Sequence, residues 1–206
     1  MNGTKKSNGA ADRSDALAEL IGRIGRLMHA RQYAAGLNPA QWEALRYVDR
    51  ANRRSRTPGA LADYLGTTKG TVSQTLIALE EKGLIRRDRS NRDRRQVEIS
   101  LTDAGRSRLA DDPIDLLRAA VGALPAEAGR TLLTALSDVL DSLRRADGLT
   151  AFGMCGLCQH FGCQEDGAGD MAPATCCLTG DALGASDWNG LCVNYDPMPA
   201  VRAVTP

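Results

Sequence analysis

Apolar residues recur at helical spacing over residues 14–35, where Leu17, Leu20, Ile21, Ile24, Leu27 and Met28 form one stripe and Gly36 follows as a stop. Asn38 and Pro39 then supply a cap and a proline at the first helical position, predicting a second helix through Trp42, Leu45 and Val48. Two shorter helices follow. Thr57-Pro58 opens GALADYL, which Gly66 closes, and Thr67 is the expected cap of a helix that carries Val72, Leu76 and Leu79 on one face and stops at Gly83. Beyond Gly83 the period changes to alternation. Residues 84–87 and 96–101 read as strands joined by the charged, turn-forming stretch 88–94. Thr102 caps a helix that begins DAGRSRL, and Pro113 marks a break. Pro125 starts a last helix carrying Leu132, Leu133, Leu136, Val139, Leu140 and Leu143. From Asp147 onward glycine and proline become frequent and the helical period disappears.

Two short helices joined by a tight turn and followed by a hairpin predict a winged helix-turn-helix. The expected fold class is mainly α with a small β-hairpin wing, a helical dimerisation region and a small irregular Cys-rich C-terminal module. The expected organisation is a disordered N-terminus over 1–13, a DNA-binding and dimerisation domain over 14–147, and the cysteine tail over 148–206.

Charge sharpens this picture. The formal net charge is only +1, but residues 50–108 hold 14 Lys/Arg against 7 Asp/Glu, whereas residues 151–206 hold one Arg and six acids. The basic segment suits a polyanion such as double-stranded DNA, and the acidic tail should sit away from the phosphates. Thr68, Lys69, Thr71, Ser73 and Gln74, on the first turns of the second short helix, supply hydroxyl, amide and ammonium donors for a major groove. Arg89, Arg92, Arg94 and Arg95, at the hairpin tip, suit phosphate or minor-groove contact. Arg53-Arg54 and Arg106 to Arg108 read equally well as solvated faces. A first helix this apolar, with no domain before it, predicts packing on a partner subunit.

The run VSQTLIALEEKGLIRRDRSNRDRRQVEISLTDAG, residues 72–105, resembles the MarR family of bacterial transcription regulators in its helix, its GLI.R strand, its DRR wing and its LT..G step into the next helix. Gln41, Trp42, Leu45 and Arg46 are similar to that family's second helix, and the resemblance extends over residues 14–146. It implies a homodimer, paired by the first helix and the last two, on a pseudo-palindromic operator. It also implies that Asp93 and Arg95 brace the wing while Arg94 or Arg92 reaches the minor groove, and it leaves room for a small-molecule effector such as an organic acid or phenol.

No enzyme is expected: the sequence holds no nucleotide loop, nucleophile elbow or paired-carboxylate motif, and its two histidines, His29 and His160, lie far apart. The polar start MNGTKKSNGAADRSD lacks the apolar run of a signal peptide, and no stretch suits a membrane span, so a cytoplasmic location without membrane contact is expected.

All six cysteines, Cys155, Cys158, Cys163, Cys176, Cys177 and Cys192, lie in the tail. Cytosolic proteins seldom keep structural disulfides, so metal or redox chemistry is the leading expectation. The Cys155-x2-Cys158 pair lets two thiolates converge on one ion, eased by Gly153 and Gly156, and Cys192 adds an isolated third. Cys176 is chosen over Cys177 by a weaker resemblance to a tail carried by a subset of MarR-like proteins, here met by Phe152, Gly153, Cys155, Cys158, His160, Phe161, Cys176, Leu178, Leu183 and Cys192. Cys163, Cys177 and His160 remain alternative ligands. One C-x2-C pair plus two separated cysteines favours an iron–sulfur cluster, with zinc as the alternative and a metal-free thiol switch, with Cys163 or Cys177 as the oxidised partner, behind both. The combined expectation is a repressor that senses redox or iron status. A small-molecule-responsive regulator with a structural zinc tail is the first alternative, and an electron-transfer protein the second.

Overall fold

The computed structural model describes residues 9–89, 96–162 and 174–198. Its first helix, α1 (Gly9–Ala34), begins five residues before the predicted start, because Ala10, Ala11 and Asp12 favour a first helical turn without contributing to the apolar stripe. Helix α2 (Pro39–Arg50) is the central strut. Its start is fixed by a reciprocal cap in which Gln41 N donates to Asn38 Oδ1 at 2.9 Å and Asn38 N donates to Gln41 Oε1 at 3.3 Å. Trp42, Leu45, Tyr47 and Val48 of α2 are buried.

Helices α3 (Pro58–Leu65) and α4 (Lys69–Glu81) form the helix-turn-helix. Gly66, in the left-handed conformation at φ 58°, ends the first. Thr68, not Thr67, caps the second: its hydroxyl accepts from Thr71 N at 3.1 Å. Both threonines have the chemistry of a cap, so composition could not choose between them.

Strands β1 (Ile85–Arg89) and β2 (Val97–Leu101) pair antiparallel from Ile85 opposite Leu101 to Arg89 opposite Val97, and bury Ile85, Ile99 and Leu101. Helix α5 (Asp103–Ala110) is seated by Thr102, whose hydroxyl donates to Gly83 O at 2.6 Å and accepts from Gly105 N at 3.0 Å. At Gly105 any Cβ would run into the backbone carbonyl of Leu84, which explains a glycine inside a helix. After the break at Pro113 come α6 (Asp115–Gly122) and α7 (Ala126–Ala146). Buried Asp112 pins that break, binding the buried Arg46 guanidinium at 2.8 Å and accepting from Ile114 N at 3.0 Å.

No residue of α6 or α7 is buried in the single chain. Leu133, Leu140 and Leu143 of α7 are 70%, 66% and 59% exposed, and Leu17 and Leu27 of α1 are 60% and 63% exposed. Two apolar stripes therefore stand in solvent.

The tail folds back. Strands β3 (Gly153–Met154) and β4 (Leu191–Cys192) pair antiparallel, with the one-turn helix α8 (Ala185–Trp188) just before β4. Leu191 bridges to Ala51 and joins the buried core of the helix-turn-helix unit. Phe152 stacks edge-on against Tyr64 and Tyr47, with ring centroids 5.2 and 6.1 Å apart. Among the described residues, no helix is long and apolar enough to cross a membrane.

Candidate nucleic-acid interface and cysteine site

Thr68, Lys69, Thr71, Ser73 and Gln74 are all exposed on the first turns of α4, with Val72, Leu76 and Leu79 beneath them as the buried face. The cap engages Thr68, whose hydroxyl also lies 3.0 Å from that of Thr71. Lys69, Ser73 and Gln74 make no side-chain hydrogen bond among the described residues, which leaves an ammonium, a hydroxyl and an amide directed outward. The wing is tied to this helix at its base. Arg87 Nη2 meets Glu80 Oε2 at 2.5 Å, and that hydrogen bond holds the Glu80 carboxyl below its ordinary range. Arg89 is exposed at the outer end of β1. Arg92, Asp93, Arg94 and Arg95, the predicted wing tip and brace, lie outside the described residues.

Cys155, Cys176 and Cys192 line one small cavity of about 20 Å³ beside Asn52, Arg53 and Arg54. Cys158 flanks it. Cys155, Cys158 and Cys192 are buried, and Cys176 is half-buried. Local geometry explains the convergence. The β3–β4 pairing sets Gly153 against Cys192, and Cys155 N donates to Gly190 O at 3.3 Å. A 3-10 turn over Cys155–Leu157 returns Cys158 N to Cys155 O at 3.0 Å, and Phe161 bridges to Cys176.

Polar hydrogens point at the sulfurs. Asn52 Nδ2 donates to Cys155 Sγ at 3.1 Å, and Asp196 N donates to Cys158 Sγ at 3.4 Å. Cys155 and Cys192 are close enough to interact, and the Cys155 thiol beside it lowers the Cys192 thiol against the opposing effect of burial. The same neighbour, reinforced by burial, raises Cys155. As they stand, no three His, Cys, Asp or Glu side chains among the described residues are close enough together to hold an ion. His160 is not part of the cavity lining, and its Nε2 sits 3.7 Å from Asp196. Cys177 is exposed and disulfide-bonded, and Cys163 lies outside the described residues.

Sequence reasoning missed the surface on which the tail docks. Arg53 reaches Asp187 at 2.8 Å and Arg54 pairs with Asp181, so neither arginine is the plain solvated face considered above. The buried Asp187 carboxyl is held below its usual value although burial alone would raise it, because Arg53 and the Gly184 and Arg53 amides donate to it. Opposite charge in residues 50–56 and the tail was the one available signal. Asn52, buried and uncharged, gave none.

Residues 35–96 match the family model for the MarR family, from the end of α1 to the foot of β2. Among solved structures, the chain is similar to the transcriptional repressor CouR bound to a 23-mer DNA duplex: 26% identity, 68% of this chain and 99% of that one, TM-score 0.54. It is also similar to a Staphylococcus aureus MepR–DNA complex (22% identity, 63% and 95% covered, TM-score 0.52) and to the regulator BldR of Sulfolobus solfataricus (19% identity, 68% and 99% covered, TM-score 0.51). No curated protein matches the chain. The fold is a winged helix-turn-helix similar to those of the CouR, MepR and BldR structures, and the family match ends well before the cysteine tail.

Proposed function

We propose that this protein is a dimeric, cytoplasmic, DNA-binding transcription regulator of the MarR type, acting as a repressor, whose cysteine tail holds an iron–sulfur cluster and reports redox or iron status. The observation that carries the DNA-binding part is the outward face of α4, where Lys69, Ser73 and Gln74 stand uncommitted beside a hairpin tied to the same helix. Hydroxyl and amide donors there can address base edges, while Lys69 and the helix N-terminus receive phosphates. The DNA duplexes in the CouR and MepR structures support this reading. The exposed stripes of α1 and α7 support a homodimer, since apolar surface of that extent ordinarily meets a partner. Two recognition helices in one dimer then call for a pseudo-palindromic operator. Blocking such a site is how the protein would repress.

In the cysteine site, Cys155, Cys158, Cys176 and Cys192 would hold the inorganic group, and bound there it would supply redox chemistry that the side chains alone lack. Asn52 and the Asp196 amide offer N–H donors to sulfur, which suits a thiolate-ligated centre. A second reading, structural zinc with a small organic effector sensed elsewhere, is favoured by one observation: the cavity of about 20 Å³ has room for only a single water-sized guest.

Anaerobic purification followed by metal analysis and an absorption spectrum tests the centre. Iron with sulfide and a brown band near about 400 nm supports the cluster, colourless zinc supports the second reading, and no metal removes both. Light scattering on wild type and L140E tests the dimer: an already monomeric wild type, or an unaltered mass for the variant, refutes the pairing assigned to α7.

A further inference from the structure

Strands β3 and β4 bring two free thiols together. Their register sets Gly153 opposite Cys192 and Met154 opposite Leu191, and Cys155 N continues the ladder by donating to Gly190 O at 3.3 Å. Cys155 and Cys192 therefore project from the same face of the pair as diagonal neighbours. Both are free, both are buried, both line the cavity of about 20 Å³, and they are close enough to interact. The other two free cysteines are engaged differently. Cys158 accepts at its sulfur from Asp196 N at 3.4 Å and is not part of the cavity lining. Cys176, half-buried, enters from a separate bridge, the one to Phe161. Part of the cavity wall is the Arg53 and Arg54 side chains, 46% and 41% exposed, so side-chain movement alone admits a molecule little larger than water.

We propose that Cys155 and Cys192 are a dithiol that hydrogen peroxide oxidises to a disulfide, a modification site that gives the tail redox sensitivity with no inorganic centre. Two sulfurs suffice, so the proposal does not rest on the cluster reading. One thiol sulfur of the pair attacks a peroxide oxygen, the O–O bond breaks, and a sulfenic acid forms with release of one water. The second thiol sulfur then attacks the sulfenic sulfur and forms the S–S bond. The S–O bond breaks, and the departing hydroxyl takes the second thiol's proton and leaves as another water. The two sulfurs give up two electrons in all, and the peroxide accepts them. Diagonal neighbours on paired strands have Cβ atoms somewhat less than about 7–8 Å apart, whereas a disulfide spans about 3.8 Å. The pair therefore stands open as two thiols, and closing it needs the strands to approach. Strands of two residues each, flanked by a 3-10 turn and a one-turn helix, offer little resistance to that movement.

The experiment uses the full chain, stripped of any metal by chelation under reductant, freed of both reagents and titrated natively with hydrogen peroxide. Alkylation of the remaining thiols and peptide mass mapping should then show a Cys155–Cys192 cross-link, with Cys158 and Cys176 still alkylated. Oxidation in urea is the control. In the unfolded chain the short loop favours Cys155–Cys158, so the yield of the Cys155–Cys192 link should fall by about tenfold or more. In C155S and in C192S the link is absent, and in at least one of them the remaining thiol should be trapped by dimedone as its sulfenic acid. The wild-type map stands on its own if neither serine variant folds. Native oxidation that leaves Cys155 and Cys192 alkylatable overturns the proposal, as does a map in which either pairs by preference with Cys158 or Cys176. An equal yield of the link in urea, or a link that joins two subunits on a non-reducing gel, overturns it too.

Discussion

Replacing Gly190 by alanine should detach the tail from the helix-turn-helix unit. The backbone of Gly190 passes so close to Asn52 that a new Cβ would lie 2.8 Å from Asn52 Cβ and 3.0 Å from its Cα and N. Two of those three neighbours are backbone atoms, so no side-chain rotation relieves the overlap and the strand must move outward. Movement breaks two hydrogen bonds, Asn52 N to Leu191 O and Val193 N to Ser55 Oγ, each 2.9 Å and each contributing about 1 kcal/mol. It also returns Leu191, now 7% exposed, to water at a cost of about 2 kcal/mol. The upper figure is about 4 kcal/mol, reduced by whatever the loop recovers on relaxing, so a loss of about 2–4 kcal/mol is expected. Native-state hydrogen exchange at the Asn52 amide reads this directly as an acceleration of roughly 30- to 1000-fold. Exchange at the buried Leu45 and Leu79 amides should change less. An Asn52 amide that exchanges within about threefold of wild type would show that the close approach of β4 to Asn52 does not hold the tail in place.

Gly105→Ala should destabilise the reading head by about 2 kcal/mol, although alanine in an unobstructed helix would add about 1 kcal/mol, because the new methyl meets the Leu84 carbonyl; a raised melting temperature would contradict the clash. Lys69→Ala should weaken DNA binding by similar factors across duplex sequences and lower the slope of log affinity against log salt by about 1, and an unchanged slope would take Lys69 off the phosphates. Arg53→Met leaves the buried Asp187 without its guanidinium and should loosen tail docking by about 1–2 kcal/mol, discounted because Arg53 is half exposed. The folded Asp187 carboxyl is held down, so its contribution is present above its unfolded value near about 3.9 and is lost as pH falls through the lower folded value. Asn52 exchange measured down that acid range should rise in wild type and stay flat in the variant.

The elements were legible because each rests on local chemistry. Asn38-Pro39 and Thr57-Pro58 announce helix starts, Gly66 and Gly83 announce stops, and the switch from three-four spacing to alternation announces the hairpin. The sequence also exposed the apolar stripes of α1 and α7 and the outward residues of α4. What it concealed is the partner of each buried face. Periodicity says that Leu191 is to be covered, and nothing in it says that the cover is Ala51, some 140 residues earlier. The arginines at 53 and 54 looked like solvent-facing charge because their acids lie about 130 residues downstream. The cap at Thr68 and the early start of α1 were missed for a smaller reason: adjacent threonines and a run of alanines carry no contrast from which to read a boundary.

Leu191 lies in the same apolar core as Trp42, Leu61 and Ile99, so loosening the appendage uncovers part of that core to water. Chemical injury to the tail then weakens the helix-turn-helix unit as well, which makes the appendage a fuse.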